Sequence, residues 1–242
     1  MKLMKFSFQF GDWTNEDFDI EIKKRPTIPL PIKKYKEIEV EGSDGAYCID
    51  TESYEDVEFP IECNFIECDL DYTREQFRII QNWLDESIKE DNRLILSDDF
   101  EYFYKVKKVE ISNISYENVY EIQSFEINFT VEGLKYWNNT KEVKLNSSYR
   151  NRGVVTKPVY RIGGSGNCDF IINGVTVNCT NITNGLIIDV KNNKILNADG
   201  SRAIGKTNIK NMKLLYLKKG INNFSWSNGF TVYIKPNIRV LG

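Results

Sequence analysis

The sequence changes character near residue 140, and that change constrains what the chain can fold into. Residues 1–140 carry 16 Lys and Arg against 31 Asp and Glu, a net charge of −15. Residues 141–242 carry 16 against 4, a net charge of +12, so the overall value of −3 conceals two unlike halves. Chains of this length commonly divide into domains of about 100–150 residues. The reading is therefore two domains, 1–138 and 139–242. Opposite charges also predict a salt-sensitive attraction between the halves, within one chain or between copies.

Hydrophobic patterning differs between the halves as well. Lys5 to Phe10 alternates, with Phe6, Phe8 and Phe10 on one face of a half-buried strand. A second short strand is predicted over Phe18 to Ile22. Arg25-Pro26-Thr27-Ile28-Pro29-Leu30-Pro31 is an extended connector, because its prolines fix φ and remove backbone donors. Lys36 to Val40 alternates again and stops at the turn Gly42-Ser43-Asp44-Gly45. Tyr54 to Ile66 reads as a strand region interrupted or edged at Pro60.

One helix stands out. Thr73 to Gln76 fits a capping box, and Phe77, Ile80, Trp83, Leu84 and Ile88 share one helical face that ends near Asp91-Asn92. Residues 93–132 return to alternation. Phe103, Val106, Val109 and Ile111 suggest a long strand with a bulge, Ser112 to Ser115 a turn, and Tyr120 to Val131 another strand. The first half is thus α+β: antiparallel strands with one helix over a sheet face.

The second half has almost no helical pattern. Short β runs are predicted at Pro158–Ile162, Asp169–Ile172, Val175–Val177, Gly185–Val190, Met212–Leu217, Asn223–Trp226 and Phe230–Ile234. Asn173-Gly174 between two of them is a type I′ hairpin signal, and Asp199-Gly200 closes another excursion. Many short strands at regular spacing indicate an all-β sandwich.

Composition removes several chemistries. There is no histidine, which excludes Ser-His-Asp and Cys-His catalysis and histidine-ligated zinc. No apolar run is long enough for a transmembrane helix, and Met1 to Gly11 lacks a signal-peptide core, so synthesis in a reducing cytosol or release by lysis is expected. Cys48, Cys63, Cys68, Cys168 and Cys179 are odd in number and include no CxxC pair. They read as small hydrophobes, with a Cys168–Cys179 cross-link as the remaining option.

Carboxylate pairs such as Asp98-Asp99, Asp69 with Asp71, and Glu52 with Glu55 are what chance gives among so many acids. The second half offers only Glu142, Asp169, Asp189 and Asp199, too few for acid–base work or a calcium site. Asp189, inside an apolar run, reads as an outward or paired acid. Gly163-Gly164-Ser165-Gly166 lacks the ending of a phosphate loop and reads as a turn. Lys and Arg in the second half are scattered, which argues for an acidic protein surface as partner and against nucleic acid. Trp226, on the same face as Phe224 and near Tyr233, is the candidate for stacking on a sugar ring, with core packing as the alternative.

The order of these features resembles the distal tail protein family of long-tailed bacteriophages, also found in prophages and tail-like bacteriocins. Five segments carry the resemblance: the phenylalanine-rich opening strand, the Arg25 to Pro31 connector, Ile38 to Gly45 followed by Tyr54-Glu55-Asp56, the single helix before Leu94 to Asp99 with its aromatic strand, and the closing Lys219-Gly220-Ile221-Asn222-Asn223-Phe224. The closing segment looks like the family's Gly-x-Asn turn into a penultimate strand. Two departures are Ser43 where the family often has Arg before Asp-Gly, and Gly133 to Trp137 in place of Pro-Tyr.

The resemblance implies a hexameric ring built by the N-terminal domain at the tip of the tail tube. That ring would join the tail tube protein to the tail-tip or baseplate hub and the host-recognition apparatus, including receptor-binding proteins. It implies a galectin-like or carbohydrate-module-like C-terminal sandwich, and a virion protein assembled in the bacterial cytoplasm. No catalysis, cofactor, metal, nucleic acid or membrane insertion is expected. Long alternating strands at 100–131 are the sequence's candidates for pairing across subunits or forming a belt. The competing expectation is a carbohydrate-binding module acting at the host surface through Trp226; a cell-wall hydrolase is disfavoured by the missing histidines and the acid-poor second half.

Overall fold

The structure, a computed structural model, describes residues 5–42, 44–66, 70–112, 115–116, 123–139 and 141–242. The chain forms two compact units, Met1–Asn138 with Leu241–Gly242, and Asn139–Val240. No helix among the described residues is long and apolar enough to cross a membrane.

The first unit contains β1 (Phe8–Phe10), β2 (Trp13–Thr14), β3 (Ile20–Ile22), β4 (Lys33–Ile38), β5 (Tyr47–Tyr54) and β6 (Val57–Phe65). Helix α1 (Leu70–Glu90) follows, then β7 (Arg93–Leu96), β8 (Tyr102–Ile111), β9 (Ser115–Tyr116), β10 (Gln123–Val131) and β11 (Lys135–Trp137). Antiparallel pairing orders the main sheet β2-β1-β7-β8-β10-β6-β3, while β4 and β5 form a separate two-stranded hairpin.

Period-two sequence becomes period-two burial. In β6, Val57, Phe59, Ile61, Cys63 and Phe65 face the core while Glu58, Pro60 and Glu62 face solvent. In β10, Phe125, Ile127, Phe129 and Val131 do the same from the neighbouring strand. Each such large side chain stabilises the fold by about 1.5–3 kcal/mol. Across this face, Trp83 of α1 stacks on Phe8 at 5.9 Å between centroids. Its Nε1–H donates to the Phe10 carbonyl at 3.0 Å, which also accepts from the Ser87 hydroxyl at 3.3 Å. The helix is therefore docked by apolar packing and pinned through one strand carbonyl.

Several expectations are corrected. Phe18 ends a 3₁₀ turn, Asn15–Phe18, and only Ile20–Ile22 is a strand. The cause is Asn15, which is buried: its Oδ1 accepts the Phe8 N–H and its Nδ2 donates to the Ile20 carbonyl, both at 2.8 Å. Those bonds fix a turn where alternation alone predicts a strand. The helix begins at Leu70, so Thr73 lies within it and not at its cap. Packing of the apolar stripe, more than a capping signal, sets its extent. Of the two readings of Pro60, interruption and edge, the edge holds and β6 runs through it. That residue pairs with Asn128 of β10, and β3 covers only Cys63–Phe65 on the other side, so the missing N–H falls on an open edge. The expected bulge in β8 is present, where Thr130 pairs with Lys108 and Val131 with Val106. Ser43, Cys68, Asp69, Asn113, Ile114 and the start of the Tyr120 strand lie outside the described residues.

The second unit contains β12 (Val143–Lys144), β13 (Ser148–Asn151), β14 (Val159–Gly163), β15 (Gly166–Ile172), β16 (Val175–Ile182), β17 (Leu186–Asp189), β18 (Lys194–Asn197), β19 (Gly220–Trp226) and β20 (Thr231–Lys235). They build two antiparallel sheets, β12-β20-β14-β17-β18 and β13-β19-β15-β16. Side chains from both sheets meet in one core, where the Tyr160 ring of β14 lies 5.1 Å from Phe170 of β15 and 6.1 Å from Phe224 of β19. Asn173 and Gly174 have φ of 48° and 83° between the paired Ile172 and Val175, the geometry of a type I′ turn.

Met212–Leu217 is not a strand. Met212–Leu215 is a 3₁₀ turn whose preceding residue, Asn211, accepts the Lys213 N–H, and Leu217 makes only an isolated bridge to Thr156. Strands β12, β13 and β18 were not predicted; they are two to four residues long and mostly exposed or half-buried, so they leave no apolar alternation to read.

Candidate functional site

The expected cross-subunit strands at 100–131 are not available for that role as a whole. β10 is paired on one side with β6 and on the other with β8, and β8 is paired further with β7 and β11. Their alternation reflects a place inside the sheet.

Among the described residues, the β4–β5 hairpin pairs with no other strand and forms a sheet of its own. Its pairing sets Lys36 opposite Ile49 and Ile38 opposite Tyr47 on one face, with Tyr35 opposite Asp50 and Glu37 opposite Cys48 on the other. Paired residues share a face and the side-chain period is two, so Ile38, Tyr47 and Ile49 form one apolar face. That face is open: Tyr47 is 63% exposed and Ile49 49%. Leu30 and Ile32 on the preceding connector are exposed too. A hairpin with neither face covered is marginal in water, and exposed apolar surface is common where proteins meet other molecules.

Local bonds hold the hairpin in shape. Lys33 and Asp50 form an ion pair, and the Thr51 hydroxyl donates to the Lys34 carbonyl at 2.6 Å. The hydrogen bond to Asp50 raises the Lys33 ammonium above its ordinary value, and the same bond, joined by the Glu52 N–H, lowers Asp50. Both groups are in solvent, so the pair orients the strands more than it stabilises them. Glu52 takes the left-handed region at φ 55°, where the register slips between Lys33 and Tyr35. At the base, Glu55 N–H donates to the Ile32 carbonyl at 2.8 Å. Gly133 packs so closely there that a Cβ would sit 2.1 Å from the Glu55 carbonyl oxygen. Gly133, the first residue of the Gly133 to Trp137 segment singled out in the sequence, therefore packs at the base of the hairpin.

Other sequence candidates fall elsewhere. Trp226 is half-buried against the second core, and its Nε1–H donates to the Phe230 carbonyl at 3.0 Å. Phe224 is buried, and Tyr233 stacks instead with the Arg161 guanidinium at 4.4 Å. Asp98 is ion-paired with Arg25 and Asp99 with Lys135. Asp189 accepts from the Asn192 N–H at 2.9 Å and Nδ2 at 2.8 Å, closing a turn. Gly163 to Gly166 joins β14 to β15. Cys168 and Cys179 are opposite one another in β15 and β16 as free thiols. Burial pushes Cys63 and Cys179 up to about 12, far from thiolate reactivity. Among the described residues, no three His, Cys, Asp or Glu side chains converge as a metal site requires.

The sequence reading missed the β4–β5 hairpin as a site. Lys36 to Val40 was legible, but Tyr47 to Tyr54 carries four consecutive polar or charged residues, Asp50 to Ser53, and no strict alternation. The available signal was Ile38, Val40, Tyr47 and Ile49 flanking a Gly-rich turn inside an otherwise acidic stretch.

No family model matches the sequence, and no curated protein does. The architecture, a β-rich unit with one helix followed by a unit of two antiparallel sheets, is similar to that of a solved phage Dit protein, so the resemblance read from the sequence holds at the level of fold. The chain is similar to the crystal structure of SPP1 Dit (gp 19.1), described as a paradigm of the hub adsorption apparatus in phages that infect Gram-positive bacteria. The TM-score is 0.61, the match covers 98% of this chain and 99% of that one, and 13% of residues are identical.

Proposed function

We propose that this chain is a structural protein of a phage tail tip: a distal tail hub whose first unit closes a hexameric ring. The ring joins the tail tube protein to the tail-tip or baseplate hub and, through it, to receptor-binding proteins. It is assembled in the bacterial cytoplasm and resides in the virion tail or a tail-derived particle. The second unit, read as a galectin-like sandwich, serves as an attachment surface, and the protein carries no catalysis or cofactor.

One observation carries this reading. The β4–β5 hairpin presents Ile38, Tyr47 and Ile49 to solvent on a two-stranded element that no other described strand pairs with. A head-to-tail contact of such an arm with the next copy is heterologous, and heterologous contacts that close make rings. The likeness to a hub protein over the whole chain supports the same reading.

Light scattering tests it. Six chains of 28.2 kDa give a particle of about 170 kDa. The Tyr47→Ser/Ile49→Ser double variant is expected to lose that mass while keeping its circular dichroism, because neither side chain packs in the core. A wild-type ring that survives the double substitution would refute the hairpin as its contact. Carbohydrate binding through Trp226 is the second reading, favoured only by the partial exposure of its ring. It requires saccharide binding that Trp226→Ala abolishes without unfolding, and an empty host cell-wall glycan panel would end it.

A further inference from the structure

A second surface of the first unit is built independently of the hairpin. The β1–β2 turn, the 3₁₀ turn ending at Phe18 and the outward stripe of α1 enclose a groove of about 310 Å³. Its floor is aromatic. Phe18 stacks on Trp83 at 4.4 Å and 19° between planes, and Trp13 meets the Phe18 edge at 6.2 Å. Trp13 is 56% exposed.

The rim is acidic. Asp12, Asp17, Glu86 and Glu90 line it, Asp91 is already paired with Arg93, and no Lys or Arg is among the described lining residues. Hydrogen bonds from the Thr14 N–H and hydroxyl, both 2.7 Å, hold the Asp17 carboxyl below its usual range, so it stays ionised.

We propose that this groove docks an Arg- or Lys-bearing peptide segment of a partner protein, with the cationic head between the rim carboxylates and its stem along Trp13 and Phe18. The chemistry selects that occupant. An aromatic face attracts a cation, most strongly at tryptophan, and attracts it more when the site is partly desolvated. The methylene stem of Arg or Lys covers apolar surface while its head stays near charge. Arginine suits the site best, because a planar guanidinium both stacks on an aromatic ring and bridges carboxylates. An exposed tryptophan over a packed aromatic floor is also the usual anchor of a protein–protein contact. An anionic ligand would be repelled by the carboxylates of Asp17, Glu86 and Glu90.

The test uses the full chain and an Arg-Leu-Arg-Leu-Arg amide carrying a neutral fluorophore, read by fluorescence anisotropy at about 50 mM salt, where screening is weak. The same peptide with citrulline for arginine keeps the shape and removes the charge. The arginine peptide is expected to bind, and the citrulline peptide to bind about tenfold more weakly or not at all. Trp13→Ala and Glu86→Gln/Glu90→Gln are each expected to weaken binding by about tenfold, with melting temperatures unchanged because all three side chains are exposed. Glu58→Gln/Glu126→Gln, exposed acids away from the groove, is expected to leave affinity within about twofold.

No binding by wild type overturns the proposal. So does equal loss in the Glu58/Glu126 variant, which would mean diffuse attraction to an acidic surface. If Trp13→Ala instead lowers the particle mass while wild type ignores the peptide, the occupant is a second copy of this chain and the proposal falls. The Tyr47→Ser/Ile49→Ser variant keeps peptide binding even if it loses the ring, so failure of the groove and failure of the hub reading are separable.

Discussion

Asn222 is a polar side chain with no exposure to solvent, so its partners must replace every bond it would make to water. They do. Its Oδ1 accepts the Lys218 N–H at 3.0 Å and the Asn173 Nδ2 at 2.9 Å, and its Nδ2 donates to the carbonyls of Lys218 at 2.9 Å and Gly220 at 3.2 Å. This is the physical content of the Gly-x-Asn turn noted in the sequence: the asparagine ties the entry of β19 to the β15–β16 hairpin. Asn222→Ala is expected to destabilise the second unit by about 2 kcal/mol or more, because it removes all four hydrogen bonds of a fully buried side chain and leaves a void in its place. Asn222→Asp should cost at least as much, since it turns a donor into an acceptor facing two carbonyls. Chemical denaturation reads both; a loss below about 0.5 kcal/mol would mean that water replaces the side chain. Acid behaviour is also set by single residues. The hydrogen-bonded Arg161 guanidinium holds Glu142 below the ordinary carboxylate range, and Arg93 does the same for Asp91. A depressed folded pKa gives stability that is present above the unfolded value, about 4, and is lost as pH falls through the folded value. Melting temperature is therefore expected to drop as pH falls below about 4, and Arg161→Gln to remove part of that drop. An unchanged acid profile in Arg161→Gln would show that the exposed pair adds nothing.

Elements are where sequence and structure agree and part. β1, β6, β10 and the apolar face of α1 were legible because each lies half in a core, so burial imposes its period on the residues. The β5 strand, β18 and both 3₁₀ turns were not. Their shape comes from single hydrogen bonds, such as those of Asn15 and Asn211, or from pairing in solvent, and neither selects an apolar pattern. The groove was illegible for another reason. Trp83 lies some 65 residues beyond Phe18 and Trp13, and each aromatic alone reads as an ordinary core residue; only Ile79, off the apolar face of α1, hinted at a second use for the helix. Two glycines separate close packing from backbone conformation at this scale. At Gly174 a Cβ meets nothing within 4 Å and only the φ of 83° is at stake, so Gly174→Ala should cost about 1 kcal/mol. At Gly133 a Cβ would collide with the Glu55 carbonyl, so Gly133→Ala should cost about 3 kcal/mol or more and shift the base of the β4–β5 hairpin. Equilibrium unfolding ranks the pair, and near-equal losses would refute the close approach.

For the whole molecule, the charge division coincides with the two compact units, one at −15 and one at +12. Such a contrast can drive association by itself, or it can guide copies into place while apolar contact holds them. The two differ in their response to salt. At about 0.5 M the screening length falls to a few ångströms, and attraction between exposed unlike surfaces largely vanishes. Burial of Ile38, Tyr47 and Ile49 against another copy does not weaken under those conditions. If the hairpin holds the assembly, the mass by light scattering should persist from about 50 mM to 500 mM salt, while the rate of assembly after dilution from denaturant falls as steering is screened. If the mass collapses with salt, the unlike charges of the two units are the cohesive force, and the Tyr47→Ser/Ile49→Ser variant should then retain wild-type mass at low salt. Running wild type and the Tyr47→Ser/Ile49→Ser variant across the titration separates the alternatives. A charge-held assembly depends on ionic strength and ignores the hairpin, whereas a hairpin-held one depends on Tyr47 and Ile49 at every ionic strength and owes only its speed to charge.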